Sequence, residues 1–357
     1  MHVAHLRLRD FRNYPRLDAD FLPGFHLLLG DNAQGKTNIL EALYLLATLR
    51  SFRGVGGAQM VRHGQKGYYL GSRVVGQGEH EIKMYWSLRE RSLTLDSRPV
   101  RKLTEYLGVI RTVIFCSEDL LLVKGPGRSR RRFMDLLLSQ SRSDYLPLLQ
   151  RYTQALKSRN ALLKQDLVDA QALDSFSREL VSAGEQITRL RRELLPVFAP
   201  LVEAAHRQIA SAEALQLRYN PSIKGDFAVE LAQSRNREQS YRATVVGPHR
   251  DELEFLLGDR PAAQFGSEGQ KRTLATALKM AQAEYLTSLH GTPPVLLIDD
   301  VMGELDLKRR SGLLPLLQRS HQARGQVFMT ATEENWPEEL GREVQRWTVK
   351  GGALQQA

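Results

Sequence analysis

The stretch Gly30-Asp31-Asn32-Ala33-Gln34-Gly35-Lys36-Thr37 decides how this chain reads. Its spacing is G-x-x-x-x-G-K-[ST], in which the glycines allow a tight turn that aims backbone N–H groups inward at phosphate oxygens. Lys36 is then placed to reach the β- and γ-phosphates, and Thr37 to hold Mg²⁺. The flanks agree with this reading. Phe25-His26-Leu27-Leu28-Leu29 predicts a short buried strand, and Asn38 to Leu49 predicts a helix with Ile39, Leu43, Leu46 and Leu49 at helical spacing. Phosphates would lie at the positive end of that helix. Residues 30 to 37 therefore predict a nucleoside triphosphate site with Mg²⁺.

Composition narrows the class. A chain of 357 residues, 42% hydrophobic and 25% charged, has room for two or three domains and a substantial core. The longest apolar stretch, Ile39 to Leu49, is interrupted by Glu41 and is too short to span a bilayer, so no membrane partner is expected. The first residues, Met1-His2-Val3-Ala4-His5-Leu6-Arg7, lack the apolar core of a secretion signal. Cys116, the single cysteine, excludes an internal disulfide and a cysteine-rich metal site. These features predict a cytoplasmic protein. Fifty Lys and Arg against forty Asp and Glu give a formal charge of +10, which favours a polyanionic partner such as DNA. Arg128, Arg130, Arg131 and Arg132 are the candidate DNA contacts, with a solvated helix face as the other reading of the same cluster.

Strand patterns fill the N-terminal part, at Val3 to Asp10, Glu79 to Leu88, Leu93 to Leu95 and Thr112 to Phe115, with a turn at Phe11-Arg12-Asn13-Tyr14-Pro15. From about Gly125 helical spacing takes over, predicting helices at Arg130–Gln140, Ser143–Lys164 and Leu173–Leu195, the last two as a short antiparallel hairpin ended by Pro196 and Pro200. Strand character returns from Leu215. The expected organisation is α/β: a nucleotide-binding head with a mixed sheet (1–124 and 215–357), split by an inserted helical lobe (125–214).

Two later segments complete the nucleotide site. Pro294-Val295-Leu296-Leu297-Ile298-Asp299-Asp300 reads as a buried strand delivering two carboxylates. Asp299 is suited to the Mg²⁺ shell and Asp300 to orienting or deprotonating the attacking water. Upstream, Ser267-Glu268-Gly269-Gln270 opens an apolar helix, where Ser267, Gly269 and Gln270 can meet an anion, or Ser267 can serve simply as a helix cap. Downstream, Gly303-Glu304-Leu305-Asp306 fits a D-loop, which adds Asp306 to the ATP-binding set. Phosphate loop, signature and acidic strand in this order are the layout of ATP-binding-cassette (ABC) ATPases, which makes the expected nucleotide ATP. With one loop and one signature per chain, a complete site requires a homodimer.

More specific features resemble one family. Thr37-Asn38-Ile39-Leu40-Glu41-Ala42, Arg50-Ser51-Phe52-Arg53, Phe11-Arg12-Asn13-Tyr14 and Ser117-Glu118-Asp119-Leu120 are similar to the RecF family of bacterial recombination mediators, relatives of SMC and Rad50 heads. So are Arg131-Arg132-Phe133-Met134-Asp135, Lys157 to Lys164 and Gly247-Pro248-His249-Arg250-Asp251-Glu252-Leu253. The resemblance covers essentially the whole chain. It implies an ABC-type head and slow, DNA-stimulated ATP hydrolysis. It further implies binding to duplex DNA or single-strand/duplex junctions, loading of RecA with RecR and RecO, and a part in SOS induction. It also places Arg12 and Asn13 near phosphate or adenine. His249 and Arg250 are open to two roles, a contact to DNA or ATP, or a structural cluster. Three positions depart from common patterns: Glu268 stands within the signature, Thr330-Ala331-Thr332 replaces the switch histidine, and Asp300 stands where Glu is usual. An ABC transporter subunit would carry the histidine and a smaller helical part. A structural SMC-type protein would need far longer arms.

Overall fold

Phe25 to Leu28 are buried on both sides, as a central parallel strand requires, and around them the first of two units is assembled. The structure is a computed structural model and describes residues 1–210, 214–304, 306–332, 340 and 343–357. Its described residues group into one unit from Met1–Asp119, Ala205–Ser211 and Thr276–Ala357, and a second from Leu120–Ala204 and Ala212–Ala275. The expected boundaries are corrected here. The segment after residue 214 does not return at once to the head; up to Ala275 it shares the core of the helical unit.

The first unit holds two six-stranded sheets. In one, Val344–Lys350, Gly24–Leu29, Gln326–Ala331, Val295–Ile298 and Thr112–Phe115 run parallel in that order, and Ala353–Gln356 adds an antiparallel edge. The other is wholly antiparallel, in the order Tyr14–Asp20, His2–Phe11, Gly67–Val75, Glu79–Ser87, Arg91–Leu95, Arg98–Pro99. Its alternation puts Leu6, Leu8, Leu70, Val74, Ile82 and Met84 inside. Charge crowds the other face, where Arg7 and Arg9 both reach Asp18. Gln326 ties the two sheets together: its amide accepts from Val3 N–H at 2.8 Å and donates to Val3 O at 3.0 Å, as a neighbouring strand would.

A histidine lies at the centre of this unit. His26 stacks on Phe328 at 4.7 Å, and Phe21 meets Phe328 and Trp347 at 5.0 and 4.9 Å. The His26 Nε2–H donates to Leu22 O at 2.7 Å, while Nδ1 accepts from Trp347 Nε1–H at 3.1 Å. Burial therefore pushes the imidazole down to about 4, the Leu22 carbonyl opposing only in part. A second proton would face the indole N–H and find no acceptor. Between pH 6.5 and 4 the unfolded chain protonates His26 and the folded chain does not, so stability falls with falling pH across that window. At pH 5 the loss is about 2 kcal/mol relative to neutral pH. Urea titrations at pH 7.5 and 5 should show His26→Gln losing less stability on acidification than the wild type by that amount; equal losses would refute it.

The second unit is mainly helical. Gly127–Ser141 and Tyr145–Leu163 lead to a single helix over Ala170–Ile209, antiparallel to its predecessor, with Arg151 paired to Glu179 and Arg159 bonded to Ser177. The long helix overturns the expectation that it ends at Pro196. An interior proline costs about 3 kcal/mol, but the apolar stripe Ile187, Leu190, Leu194, Phe198, Val202 runs on uninterrupted and buried. Burial of that stripe outweighs the lost hydrogen bonds. Strands Leu215–Asn220, Glu252–Leu257 and Arg260–Pro261 form a small antiparallel sheet.

Buried charge joins that sheet to the helices. Arg191 reaches Asp251 at 2.7 Å, Asp135 at 2.8 Å and Pro248 O at 2.7 Å. Burial works against its charge, but the two carboxylates outweigh it and push its pKa further up. Tyr219 donates to Asp251 as well. Nearby, fully buried Arg159 holds both oxygens of Glu238 at 2.8 and 2.6 Å. The segment 215–275 belongs to this unit because its carboxylates pair with the helices' arginines.

Candidate functional site

The phosphate loop is shaped by backbone conformations that few residues tolerate. Gly30, Ala33 and Gly35 have φ of 154°, 64° and 118°. A Cβ at Gly30 would meet Val349 O at 2.3 Å, and one at Gly35 would meet the Asn13 amide at 2.7 Å and the Tyr14 hydroxyl at 2.9 Å. Glycine is demanded at both by conformation and by contact. The loop is braced from outside: Asn13 Nδ2–H donates to Gln34 O at 2.8 Å, Tyr14 O–H to Gly35 O at 3.1 Å, and Asn38 Nδ2–H to Asn13 Oδ1 at 2.8 Å. From the far end of the sequence, Gly352 N–H donates to Gln34 O at 3.2 Å and Gly351 N–H to Gln34 Oε1 at 2.7 Å.

Lys36 opens the helix Lys36–Thr48, which is buried almost all round. Its ammonium, 4% exposed, donates to Gly30 O at 2.5 Å and Asp31 O at 3.0 Å, so the lysine lies curled within its own loop. Asp31, Asn32 and Ala33 are exposed at the mouth, with Gln34 half-buried behind them. Asn13 braces the loop; Arg12 is held otherwise, its guanidinium gripping both oxygens of buried Glu41 at 2.7 Å each.

The acidic strand arrives beside the loop. Thr37 Oγ1–H donates to Asp299 Oδ1 at 2.8 Å, across 262 positions of sequence. Thr330 Oγ1–H donates to the same oxygen at 3.1 Å, and its own oxygen accepts from Asp300 N–H at 2.9 Å. Burial raises the Asp299 pKa, with the two hydroxyls and the Arg53 charge pulling against it and Asp300 adding to it. Asp300 has φ 55°, a left-handed conformation rare outside glycine, at the turn that ends the strand. A hydroxyl and a carboxylate oxygen suit a hard divalent cation whose remaining ligands are phosphates and water. Among the described residues there is no cluster of three or more His, Cys, Asp or Glu to hold a metal by protein alone. Thr37 and Asp299 are the residues that would hold Mg²⁺, and the chemistry it would supply there is offsetting phosphate charge.

Ser267 and Gln270, in the second unit, form a reciprocal capping box at the start of the helix Glu268–His290. Gln270 N–H donates to Ser267 Oγ at 3.2 Å and Ser267 N–H to Gln270 Oε1 at 2.6 Å. Ser267 is exposed, as is Phe265 two residues before it, and Gly269 lies in the first turn. Asp306 caps the helix Leu307–Gln322, accepting from Arg309 N–H at 2.9 Å; Leu305 of the expected D-loop lies outside the described residues.

The arginine cluster divides. Arg130 is spent on Glu252 at 2.6 Å and on the carbonyl of Gly125 at 2.9 Å, and Arg131 on Asp251 O at 2.7 Å. Only Arg128 and Arg132 of the four are exposed, which corrects the expectation of a four-arginine surface. His249 sits in a structural cluster, between Tyr152 O–H at 2.6 Å and Thr244 O at 3.1 Å, and burial pushes it down to about 4.

Comparison with known proteins agrees with this geometry. Residues 2–353 match the family model described as RecF/RecN/SMC N terminal domain. The chain is 37% identical to the DNA replication and repair protein RecF of Symbiobacterium thermophilum, covering 94% of each chain. With that of Lactobacillus johnsonii it shares 36% identity over 99% of each. The chain belongs to the RecF family. Among solved structures, the recombination mediator protein RecF-ATP of the RecFOR pathway superposes with a TM-score of 0.91 at 28% identity, covering 100% of this chain and 97% of that one. A Pyrococcus furiosus Smc head, at 15% identity with coverage of 100% and 96%, gives 0.59 and shares the fold. The fold is thus that of an ABC-type head.

Three features of this RecF-family site have no signal in the nucleotide motifs. Arg53 donates to Asn38 Oδ1 at 3.2 Å and lies 3.9 Å from Glu41, which brings a cation beside the helix that starts at the loop. Glu41 and Thr330 complete the set. The runs Arg50-Ser51-Phe52-Arg53 and Thr37 to Ala42 mark Arg53 and Glu41 by resemblance alone, and Thr330 is marked only as standing where the switch histidine is missing.

Proposed function

We propose that this chain is an ATP-dependent DNA-binding mediator of replication and recombinational repair. The observation that carries the reading is the hydroxyl–carboxylate contact of Thr37 with Asp299, 2.8 Å long and beside Lys36. It brings together, across 262 positions, the two oxygens that would hold a nucleotide-bound Mg²⁺. ATP is the nucleotide by analogy with the RecF-ATP structure. Lys36 would exchange its loop carbonyls for β- and γ-phosphate oxygens. Asp300 would orient the attacking water, and its short side chain accounts for slow turnover.

The signature lies on a surface open to a second copy. Ser267 of one protomer would complete the ATP site of its partner with Gly269 and Gln270, and Asp306 would support it. ATP would bridge a homodimer gripping duplex or gapped DNA, with hydrolysis releasing it and DNA stimulating the weak ATPase. Arg128 and Arg132 are the exposed members of the cluster to offer to phosphates, a sequence-independent and salt-sensitive contact. RecR, RecO and RecA are the expected partners at gaps, and SOS induction the expected consequence.

Ser267→Arg tests the composite site. It should leave ATP binding to the monomer within about twofold while weakening ATP-induced dimerisation more than about tenfold, as expected for a cation forced into a closed interface. Light scattering with and without ATP reads the result. Undiminished dimers would overturn the model.

A further inference from the structure

Among the described residues, Thr330 is the one side chain bonded to both acids of the strand tip. It lies on the strand Gln326–Ala331, adjacent and parallel to Val295–Ile298, and is 2% exposed. Its single hydroxyl proton has Asp299 Oδ1 at 3.1 Å as the nearer of two acceptors, Ile298 O lying at 3.5 Å, and its oxygen accepts the Asp300 N–H at 2.9 Å. Asp299 Oδ1 thus takes two hydroxyls, from Thr37 and Thr330, which fixes the carboxylate plane and leaves Oδ2 clear of both. Asp300 is kept at φ 55° with its N–H satisfied only through that same hydroxyl.

The two hydroxyls are not equivalent. Thr37 belongs to the phosphate loop, and its oxygen is the one that would turn to Mg²⁺ when nucleotide arrives. That oxygen would use a lone pair there and could keep its O–H on Asp299, but its position would then follow the loop. Thr330, on a strand rather than a loop, has no such second employment.

We propose that Thr330 is a positioning residue for hydrolysis. It holds Asp299 in its metal-facing rotamer and Asp300 at its left-handed turn, taking the place in the strand layout where a switch histidine is missing. The inference rests on the hydrolytic reading of Asp299 and Asp300. Thr330 need not touch nucleotide. A half-buried N–H without its side-chain acceptor at Asp300, and a carboxylate held by one hydroxyl instead of two at Asp299, are the two consequences of removing its hydroxyl.

The test uses the full chain with Thr330→Val, Thr330→Ala, Thr330→Ser and Asp299→Asn. Steady-state ATP turnover is measured with Mg²⁺, and ATP affinity is measured separately in Mg²⁺ and in EDTA. Thr330→Val and Thr330→Ala should lower kcat about 10- to 100-fold with KM changed less than about threefold. Their affinity in EDTA should match the wild type, while the gain in affinity on adding Mg²⁺ shrinks. Thr330→Ser should restore turnover to within about threefold, because it restores the hydroxyl. Alanine removes the hydroxyl without pressing a methyl group on Asp299, so a valine variant that fails to fold leaves the test intact. Wild-type turnover in Thr330→Ala beside a dead Asp299→Asn would overturn the inference alone. So would a serine variant as impaired as the alanine. Normal turnover in Asp299→Asn would instead overturn the hydrolytic reading beneath it.

Discussion

Lys36→Met is expected to weaken ATP binding by roughly 100-fold or more. The residue is 4% exposed and its ammonium makes two hydrogen bonds to loop carbonyls, at 2.5 and 3.0 Å. Moving onto phosphate exchanges neutral carbonyl acceptors for charged ones, and each charge-assisted bond is worth about 1.5–3 kcal/mol. Methionine fills a similar volume but donates nothing, and leaves Gly30 O and Asp31 O without that donor. Isothermal titration with ATP in Mg²⁺ reads the effect. Affinity within about threefold of wild type would show that the backbone N–H groups of the loop suffice and the lysine does not bind phosphate.

Arg191→Met should destabilise the helical unit by about 3–5 kcal/mol, the cost of breaking a buried ion pair from one side. Arg191 is 3% exposed and its partner Asp251 is fully buried. Removal leaves Asp251 with Tyr219 and the Ser222 N–H, and Asp135 with Tyr145, but neither carboxylate with its cation. Because Asp251 comes from the motif segment and Asp135 from the helix Gly127–Ser141, three parts of the unit lose a common anchor. Urea unfolding followed by circular dichroism measures it. A loss below about 1 kcal/mol would show that the carboxylates protonate or rehydrate cheaply in the variant.

The nucleotide half of the site was legible because its chemistry is local. Two glycines with left-handed or forbidden conformations, a lysine and a threonine fall within eight positions, and the strand and helix around them carry their own patterns. Asp299 was legible as an acid ending an apolar run. Thr330 was legible only as standing where the switch histidine is missing; its bond to Asp299 was not, since a threonine in a buried strand looks like any β-branched residue until the strands are placed side by side. Arg130 and Arg131 failed for the converse reason. They look like surface charge, and only the fold brings Glu252 to within 2.6 Å of Arg130 from 122 positions away. The strand Tyr14–Asp20 was hidden by Arg16, Asp18 and Asp20 on its exposed side, where alternation reads as a polar loop. Pro196 misled through a rule that holds for isolated helices. A helix packed along its whole apolar stripe absorbs the penalty.

The two glycines that hold Gln34 lie 317 positions beyond it and further. Gly351 and Gly352 sit at φ 57° and 77°, in the tight turn between the two last strands, and a Cβ on Gly352 would strike Asn13 O at 2.3 Å. The phosphate loop therefore draws part of its shape from residues 317 positions downstream and further. A nascent chain carrying every residue of the eight-residue motif still lacks that clasp. A chain cut short before Gly351 would keep the braces from Asn13, Tyr14 and Asn38 but lose both glycine N–H groups that hold Gln34.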